Sequence, residues 1–130
     1  MELNEYQDRA MSTCMESCNN ISYMLLNLVA EVGEFSGKLA KAIRKSQVSI
    51  GGLSPDNKNK LTIPSFPLEV DFDIIAFDEE LRKEAGDILW QFAGLCRVMG
   101  WPLENVGIGN LVKLADREQR GVIDGDGDNR

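Results

Sequence analysis

The chain of 130 residues contains no histidine, and this absence excludes several kinds of active site. It rules out Ser-His-Asp and Cys-His catalysis, histidine general bases and the Glu-x-x-His di-iron bundle. Acid–base chemistry at neutral pH must then fall to carboxylates, lysines, tyrosines or a water molecule activated by a metal ion.

Cysteine is also scarce. The three cysteines, Cys14, Cys18 and Cys96, lack the spacing of a four-ligand zinc site. Their small number fits a reducing compartment. We expect them to be buried or half-buried thiols on helices, because cysteine packs as a small hydrophobic residue.

Long apolar runs are missing too, since none approaches the roughly 18 residues that cross a bilayer. The start of the chain has neither the basic residues nor the apolar stretch of a signal peptide. We therefore expect a soluble, cytoplasmic protein without a membrane partner. The net charge of −7 argues against nucleic-acid binding, which normally uses a basic face. With 43% hydrophobic residues, 1–130 is predicted to form a single domain.

Apolar residues recur at intervals of three and four in four segments, which predicts an all-α four-helix bundle. The predicted helices run from about Leu3 to Cys18, from Asn20 to Lys45, from Asp78 to Gly100, and from Pro102 onward. Asp78 is the predicted N-cap of the third helix. The residues expected to face inward include Ile21, Met24, Leu25 and Val32 on the second helix, Leu81, Ala85, Phe92 and Met99 on the third, and Val106, Ile108, Leu111, Val112 and Ala115 on the last.

Residues 46–77 interrupt this pattern with paired glycines and two prolines, Pro64 and Pro67. These residues disfavour a helix and predict an irregular insert between the second and third helices. A connection of this length is typically a lid, a binding loop or a partner surface. Its apolar residues also allow a short hairpin or an oligomer contact.

Two acidic pairs share one spacing, Glu31-x-x-Glu34 on the second predicted helix and Glu84-x-x-Asp87 on the third. Residues three apart share a helix face, so each pair presents two carboxylates side by side. Four clustered negative charges repel one another, and a hard cation such as Mg²⁺ relieves that repulsion. The pairs therefore predict a metal site.

Both pairs lie beside an apolar stripe. On the second helix the neighbouring polar stripe contains Asn27, Glu31, Glu34, Lys38, Lys41 and Lys45. Acids followed by lysines can hold a metal and then the phosphates that it neutralises, and Lys38 is the first phosphate-binding candidate. The simpler alternative is a solvated face on which the lysines pair with nearby acids, because a single Glu-x-x-Glu is common on exposed helices.

The acidic pairs are followed by Asn110-x-x-Lys113-x-x-x-Arg117 and by a glycine- and aspartate-rich tail, 121–130. This tail starts like a calcium loop but lacks glycine at the sixth position, which excludes an EF-hand. With the acidic pairs, these elements resemble the MazG-type all-α nucleoside triphosphate pyrophosphohydrolases. The likeness extends over nearly the whole chain from Leu3.

The resemblance implies hydrolysis of a (d)NTP to (d)NMP and pyrophosphate with Mg²⁺ or Mn²⁺, in a homodimer or homotetramer. It makes Glu31, Glu34, Glu84 and Asp87 metal ligands. Lys113 and Arg117 are implied phosphate contacts, and Arg130 in the tail joins them as a candidate. Gln7, Asn20 and Asn27 are the candidates for base and sugar binding.

One position departs from some relatives, which carry a glutamate assigned as the base directly after the first motif acid. Here that residue is Val32. A bound cation lowers the pKa of a water molecule, so a separate base is not required. Glu34 or Glu31 is then the expected proton acceptor.

Three functions stay open on the sequence alone. The first is a general nucleotide pyrophosphohydrolase that controls the nucleotide pool. The second is an enzyme selective for one deoxynucleotide, such as dUTP, dCTP or dGTP, in a host or phage. The third is a non-catalytic helical interaction module, whose partner surface would be the insert.

Overall fold

The computed structural model describes residues 1–50, 61–62 and 72–128. The described part is all-helical in its main elements, as predicted. Four helices, α1 (Leu3–Met11), α2 (Ile21–Arg44), α3 (Ile74–Val98) and α4 (Leu103–Gln119), are accompanied by a short 3₁₀ helix (Glu16–Cys18). Two short strands, β1 (Ser49–Ile50) and β2 (Leu61–Thr62), pair antiparallel, with Ser49 opposite Thr62.

Helix α1 ends earlier than predicted. Instead of continuing to Cys18, the chain leaves the helix after Met11 and forms a turn and the 3₁₀ helix. The Ser12 hydroxyl donates to the Arg9 carbonyl at 2.6 Å, and the Thr13 hydroxyl donates to the Ala10 carbonyl at 2.7 Å. Short hydroxyl side chains of this kind compete with the helical backbone bonds, which explains the early end.

Helix α2 has the predicted extent to within one residue at each end. Asn20 caps its first turn, because the Asn20 Oδ1 accepts a hydrogen bond from the Tyr23 backbone N–H at 2.8 Å. The Asn20 amide nitrogen also donates to the Ser17 carbonyl at 3.1 Å. The two bonds link the end of the 3₁₀ helix to the start of α2.

Helix α3 begins one turn before the predicted start, and the prediction of Asp78 as its N-cap was wrong. The cap is Asp73, whose Oδ1 accepts hydrogen bonds from the Ile75 and Ala76 backbone N–H groups, both at 3.0 Å. Asp78 lies inside the helix and pairs with Arg82 at 2.6 Å. An acidic cluster spread over residues 73–80 offers more than one capping aspartate, and helical pattern alone does not choose between them.

The end of α3 agrees with the prediction that Gly100 stops it. Gly100 has a φ of +74°, a conformation that glycine adopts without steric cost. The Trp101 backbone N–H then donates to the Cys96 carbonyl at 2.8 Å, and the Gly100 N–H donates to the Arg97 carbonyl at 3.0 Å. This pair of bonds is a Schellman motif, which turns the chain toward α4.

The chain divides into two compact units, Met1–Leu25 with Phe92–Arg130, and Leu26–Gln91. The first unit has a core of Ala93, Cys96 and Leu103, against which Tyr6 and Val106 pack. Among the described residues of the second unit, the buried apolar side chains are those of Ala42, Val48 and Leu81. The single-domain organisation inferred from length stays a prediction.

The three cysteines have the burial that the sequence predicts, but Cys14 lies between α1 and the 3₁₀ helix and not on a helix as expected. Cys96 is buried, while Cys14 and Cys18 are half-buried, and all three are free thiols. Burial raises the pKa of the Cys96 thiol above its usual value. The pKa of Cys14 is raised as well, first by burial and then by the neighbouring Cys18. Both shifts favour the unreactive thiol over the thiolate.

Many residues expected to face inward are exposed in the single chain. The inward face predicted for α4 was wrong beyond Val106, because Ile108, Leu111 and Val112 are 54%, 67% and 65% exposed. Further predicted core positions that are exposed include Ile21, Leu25 and Val32 on α2, Ala85, Phe92 and Met99 on α3, and Ala115 on α4. Apolar periodicity identifies which face of a helix is hydrophobic, but not what covers that face. In the single chain these side chains remain exposed.

The insert is partly outside the described residues, at 51–60 and 63–71. Within the described part, Val48 is buried and the β1–β2 pair is a short antiparallel ladder, as the hairpin alternative for this stretch suggested. The last residues of the predicted insert, 74–77, belong instead to the first turn of α3. None of the helices within the described ranges is long and apolar enough to traverse a bilayer.

Candidate metal centre

Three of the four predicted metal ligands converge within one unit of the structure. Glu31 on α2 and Glu84 and Asp87 on α3 each offer a carboxylate oxygen, and these oxygens all lie within 4.8 Å of one another. Three carboxylates at such distances repel one another unless a positive charge lies close by. Oxygen ligands of this type suit a hard divalent cation such as Mg²⁺.

The fourth predicted ligand, Glu34, is placed differently. Its side chain is exposed, and it does not belong to the group formed by Glu31, Glu84 and Asp87. Glu34 is nevertheless close enough to Lys38 for its charge to help raise the pKa of that ammonium. Its predicted role as a metal ligand stays a prediction.

Lys38 supplies positive charge to the acidic group. The Lys38 Nζ lies 2.7 Å from the Glu84 Oε1 and 3.7 Å from the Glu80 Oε2. The hydrogen bond to Glu84 is the main reason that the pKa of Lys38 is raised above its usual value, with the charges of Glu84, Glu80 and Glu34 adding to it. Glu84 itself is buried, so this ammonium provides the compensation that a buried carboxylate requires.

A second group of polar side chains reaches Glu31. The Asn27 Nδ2 donates hydrogen bonds to the Glu31 Oε1 and to the Gln91 Oε1, both at 2.9 Å. Asn27 was predicted as a base or sugar contact, and here both of its amide hydrogens are engaged within the chain. Gln91 was not among the predicted site residues. Its sequence signal is its place four residues after Asp87, on the same flank of α3.

The predicted phosphate contacts on α4 hold the acidic tail. The Arg117 Nη2 donates to the Asp128 Oδ1 at 2.8 Å, and the Lys113 Nζ lies 3.4 Å from the same oxygen. These two cations, Arg117 first, lower the pKa of Asp128 below its usual value. The Arg117 side chain is buried, and its Nε has no hydrogen-bond partner among the described residues. Arg130, also predicted to bind phosphate, lies outside the described residues.

Gln7, the first candidate for base or sugar binding, is almost fully buried. Its Nε2 donates to the Ala93 and Trp101 carbonyls, both at 3.1 Å, and its Oε1 accepts from the Leu103 N–H at 3.1 Å. These bonds hold the start of α4 against the end of α3. Gln7 also contributes to the wall of a cavity of about 330 Å³ in the same unit, together with Asn4, Asp8, Arg97, Gly100, Trp101 and Pro102.

Comparison with known proteins agrees with the resemblance seen in the sequence. A model of the MazG nucleotide pyrophosphohydrolase domain matches residues 19–122. The chain belongs to the MazG family. The gene 37 protein of Mycobacterium phage L5 is a relative, 30% identical over 137 aligned positions that cover 100% of both chains. No solved structure matches this chain.

Membership of the MazG family indicates a nucleotide pyrophosphohydrolase, and hence a hydrolase that acts on a nucleotide. The matched segment contains both acidic pairs, together with Lys113 and Arg117 on α4. Gln7 and most of the tail lie outside it. Proteins of this family are generally metal-dependent, in accord with the group formed by Glu31, Glu84 and Asp87.

Proposed function

We propose that this MazG protein hydrolyses a (d)NTP to (d)NMP and pyrophosphate with Mg²⁺, and that Mn²⁺ can replace Mg²⁺. The observation that carries the proposal is the convergence of Glu31, Glu84 and Asp87 from two helices within the segment that matches the MazG domain. These residues come from two separate sequence motifs, one on α2 and one on α3. If the acids only formed a solvated helix face, there would be no reason for carboxylates from two helices to converge.

The ligand set fits the proposed metal. Glu31, Glu84 and Asp87 provide negatively charged oxygen ligands, and Glu34 is the proposed fourth ligand at the exposed edge of the group. When bound, a divalent cation neutralises phosphate charge and increases the acidity of the attacking water. Lys38 must release or share Glu84 when the cation binds, because its ammonium now contacts the same carboxylate.

The carboxylates also have to accept a proton. Attack on the α-phosphorus forms a bond to the water oxygen and breaks the bond to the oxygen that bridges the α- and β-phosphates. The proton passes to a carboxylate oxygen of Glu34 or Glu31, since Val32 occupies the position where some relatives carry a base. Glu34 is the better placed of the two, because it is exposed and outside the group that Glu31 shares with Glu84 and Asp87.

The negative charge of the triphosphate requires cations. We assign Lys38, Lys113, Arg117 and Arg130 to this role. Charge-assisted contacts of this kind stabilise the charge that develops on the leaving pyrophosphate. Arg117 and Lys113 already bind the Asp128 carboxylate, which supports their capacity for an anionic oxygen.

We further propose that the active protein is a homodimer or homotetramer that acts in the cytoplasm on the nucleotide pool. The exposed apolar side chains of α4, such as Leu111 and Val112, support an oligomer. Large apolar side chains exposed along one helix are usually covered by a partner. Base and sugar selectivity, including strict selectivity for one deoxynucleotide, would come from polar groups such as Gln7 and Asn20, whereas the amide of Asn27 is engaged with Glu31 and Gln91.

The test is release of pyrophosphate from a panel of NTPs, dNTPs and deaminated nucleotides, with Mg²⁺ and then with EDTA. Metal-dependent release from one or more nucleotides is the expected result. A steep ranking across the panel would select the narrow-specificity enzyme, because a polar pocket rejects a mismatched base strongly. No release from folded protein across the whole panel would overturn the proposal in favour of a helical interaction module.

A further inference from the structure

Asn27 links a metal-ligand candidate to a buried amide. It lies on α2 one turn before Glu31, and its Nδ2 donates to the Glu31 Oε1 and the Gln91 Oε1 at 2.9 Å each. Asn27 and Glu31 are half-buried, and Gln91 is 1% exposed. The three side chains thus form a line of hydrogen bonds from the interior of the unit to the acidic group.

The direction of these bonds is determined by the chemistry of the groups. A carboxylate only accepts hydrogen bonds, so the side of Asn27 that faces Glu31 must be its NH₂ group. The same nitrogen faces Gln91, so Gln91 must present its carbonyl oxygen. Burial of Gln91 restricts the rotation of its amide, and this restriction passes through Asn27 to the Glu31 carboxylate.

The charge of the supporting group matters as well. Glu84 is held by the Lys38 ammonium, a positive charge that competes with an incoming cation. Glu31 is held by a neutral amide, which orients the carboxylate and leaves its full negative charge. Because Asn27 occupies one position on Oε1, the remaining lone pairs of the carboxylate stay available to a cation.

We propose that Asn27 and Gln91 are positioning residues that orient the Glu31 carboxylate as a ligand for the divalent cation. The inference rests on the proposed function and deepens it by giving the metal site its supporting groups. Such supporting hydrogen bonds raise the affinity of a site because they reduce the freedom that a ligand loses on binding the metal. This role is distinct from the base or sugar contact that the sequence suggested for Asn27.

The experiment measures binding of Mn²⁺ alone, without nucleotide, by electron paramagnetic resonance on the full chain. Asn27→Leu removes the donor with little change in volume, and Gln91→Met removes the acceptor from a buried position of similar size. We expect Asn27→Leu to weaken Mn²⁺ binding by about 10-fold, and Gln91→Met by less. The double variant should bind like Asn27→Leu alone, because the two residues act in series.

Two controls separate positioning from a general structural loss. Gln119→Met makes the same chemical change at an exposed position at the end of α4 and should leave Mn²⁺ binding unchanged. Circular dichroism and thermal unfolding of the metal-free proteins show whether each variant is folded. The ranking of nucleotide substrates should also stay the same in Asn27→Leu, whereas a base or sugar contact at Asn27 would change the ranking and leave Mn²⁺ affinity at the wild-type value.

The outcomes distinguish this inference from the proposed function. If the wild-type protein binds no Mn²⁺, both are overturned. If the wild-type protein binds Mn²⁺ and Asn27→Leu binds it within twofold as well, the metal site stands and the positioning role is overturned. If the losses of Mn²⁺ affinity in the two single variants simply added in the double variant, that result would also contradict a line of hydrogen bonds that passes through Asn27.

Discussion

The Nζ of Lys38 lies 2.7 Å from the Oε1 of Glu84, so the protein's own ammonium contacts a carboxylate that we assign to the metal. Lys38 lies on α2 and Glu84 lies on α3. The pair therefore joins the two helices that carry the acidic motifs. It also means that a cation and an ammonium compete for one carboxylate.

Removal of Lys38 should therefore strengthen metal binding. We expect Lys38→Met to tighten Mn²⁺ binding roughly two- to fivefold, the range that corresponds to a partly exposed ion pair. It should also raise the KM for nucleotide, because the same ammonium is proposed to bind phosphate. Electron paramagnetic resonance and steady-state kinetics measure the two effects. Lys41→Met, further along the same helix, is the matched control, and weaker Mn²⁺ binding by Lys38→Met would show that the ammonium does not compete.

The acidic residues should separate into two classes. Glu84→Gln and Asp87→Asn should abolish pyrophosphate release, with a loss greater than about 100-fold, and should also weaken Mn²⁺ binding. Glu34→Gln should lower turnover but weaken Mn²⁺ binding less than Glu84→Gln does, because Glu34 lies at the exposed edge of the site and not among the three converging carboxylates. Glu79→Gln is the control on α3. A Glu84 or Asp87 variant that keeps most of its activity at wild-type helix content would disprove the assignment.

The sequence predicts which acidic residues form the centre of this site, but not every contact around them. Two acidic pairs on helical segments, each beside an apolar stripe, are enough to predict that Glu31, Glu84 and Asp87 meet. The pattern does not predict that Glu34 stays apart, because residues three apart on a helix share a face but differ by about 60° in direction. Nor does it predict that Asn27 binds Gln91, since that contact depends on how α2 packs against α3.

The helix boundaries show a similar division. Gly100 ends α3 as predicted, because a glycine with positive φ is a local property of the chain. The early end of α1 depends on Ser12 and Thr13, whose hydroxyl groups compete with the helix without breaking its apolar period. The exposed residues of α4 show what the apolar pattern alone does not predict. Periodicity identified an apolar face there, but whether the face is buried depends on what packs against it.

The contact of the Asp128 carboxylate with Arg117 and Lys113 on α4 should be lost at acidic pH. The pKa of Asp128 is lowered by Arg117 and then by Lys113. Its contribution to stability is therefore complete above its ordinary pKa of 3.8 and is lost as the pH falls through the lower pKa of the folded state. We expect an NMR titration of the Asp128 carboxyl carbon to have a midpoint below 3.8.

The variants of this experiment test the cause of the shift. Lys113→Met should raise the titration midpoint of Asp128. Lys45→Met, one residue after the end of α2, should not change it. A midpoint at or above the ordinary value in the wild-type protein would show that the carboxylate is not held by these cations in solution.

Gln7 should contribute to stability through its buried amide. Gln7→Met leaves the Ala93 and Trp101 carbonyls and the Leu103 N–H without the partner that now satisfies them. We expect the free energy of unfolding to fall by roughly 2–5 kcal/mol. Urea unfolding at one fixed protein concentration measures the loss, since an oligomer makes apparent stability depend on concentration. Gln119→Met, at an exposed position, should stay within about 0.5 kcal/mol of wild type.

Gly94 tests the packing between α2 and α3 within the first unit. A Cβ atom at this position would lie 2.5 Å from the Met24 Sδ and 2.6 Å from its Cε, distances that require Met24 to move. Met24 is fully buried, so its side chain has little space in which to move. We expect Gly94→Ala to lower the free energy of unfolding by about 1–2 kcal/mol, because overpacking exceeds the gain of about 1 kcal/mol in helix propensity.

The control and the partner substitution decide whether contact with Met24 is the cause. Gly86→Ala on the same helix meets nothing within 4 Å and should stabilise the protein by up to about 1 kcal/mol. Met24→Ala alone should cost about 2–5 kcal/mol through the cavity that it leaves. In the Gly94→Ala background the same change should cost less, by at least about 0.5 kcal/mol, because it removes the atoms that the new methyl group meets. If Met24→Ala lowered the free energy of unfolding equally in the two backgrounds, the side chain of Met24 would not be what excludes a methyl group at position 94.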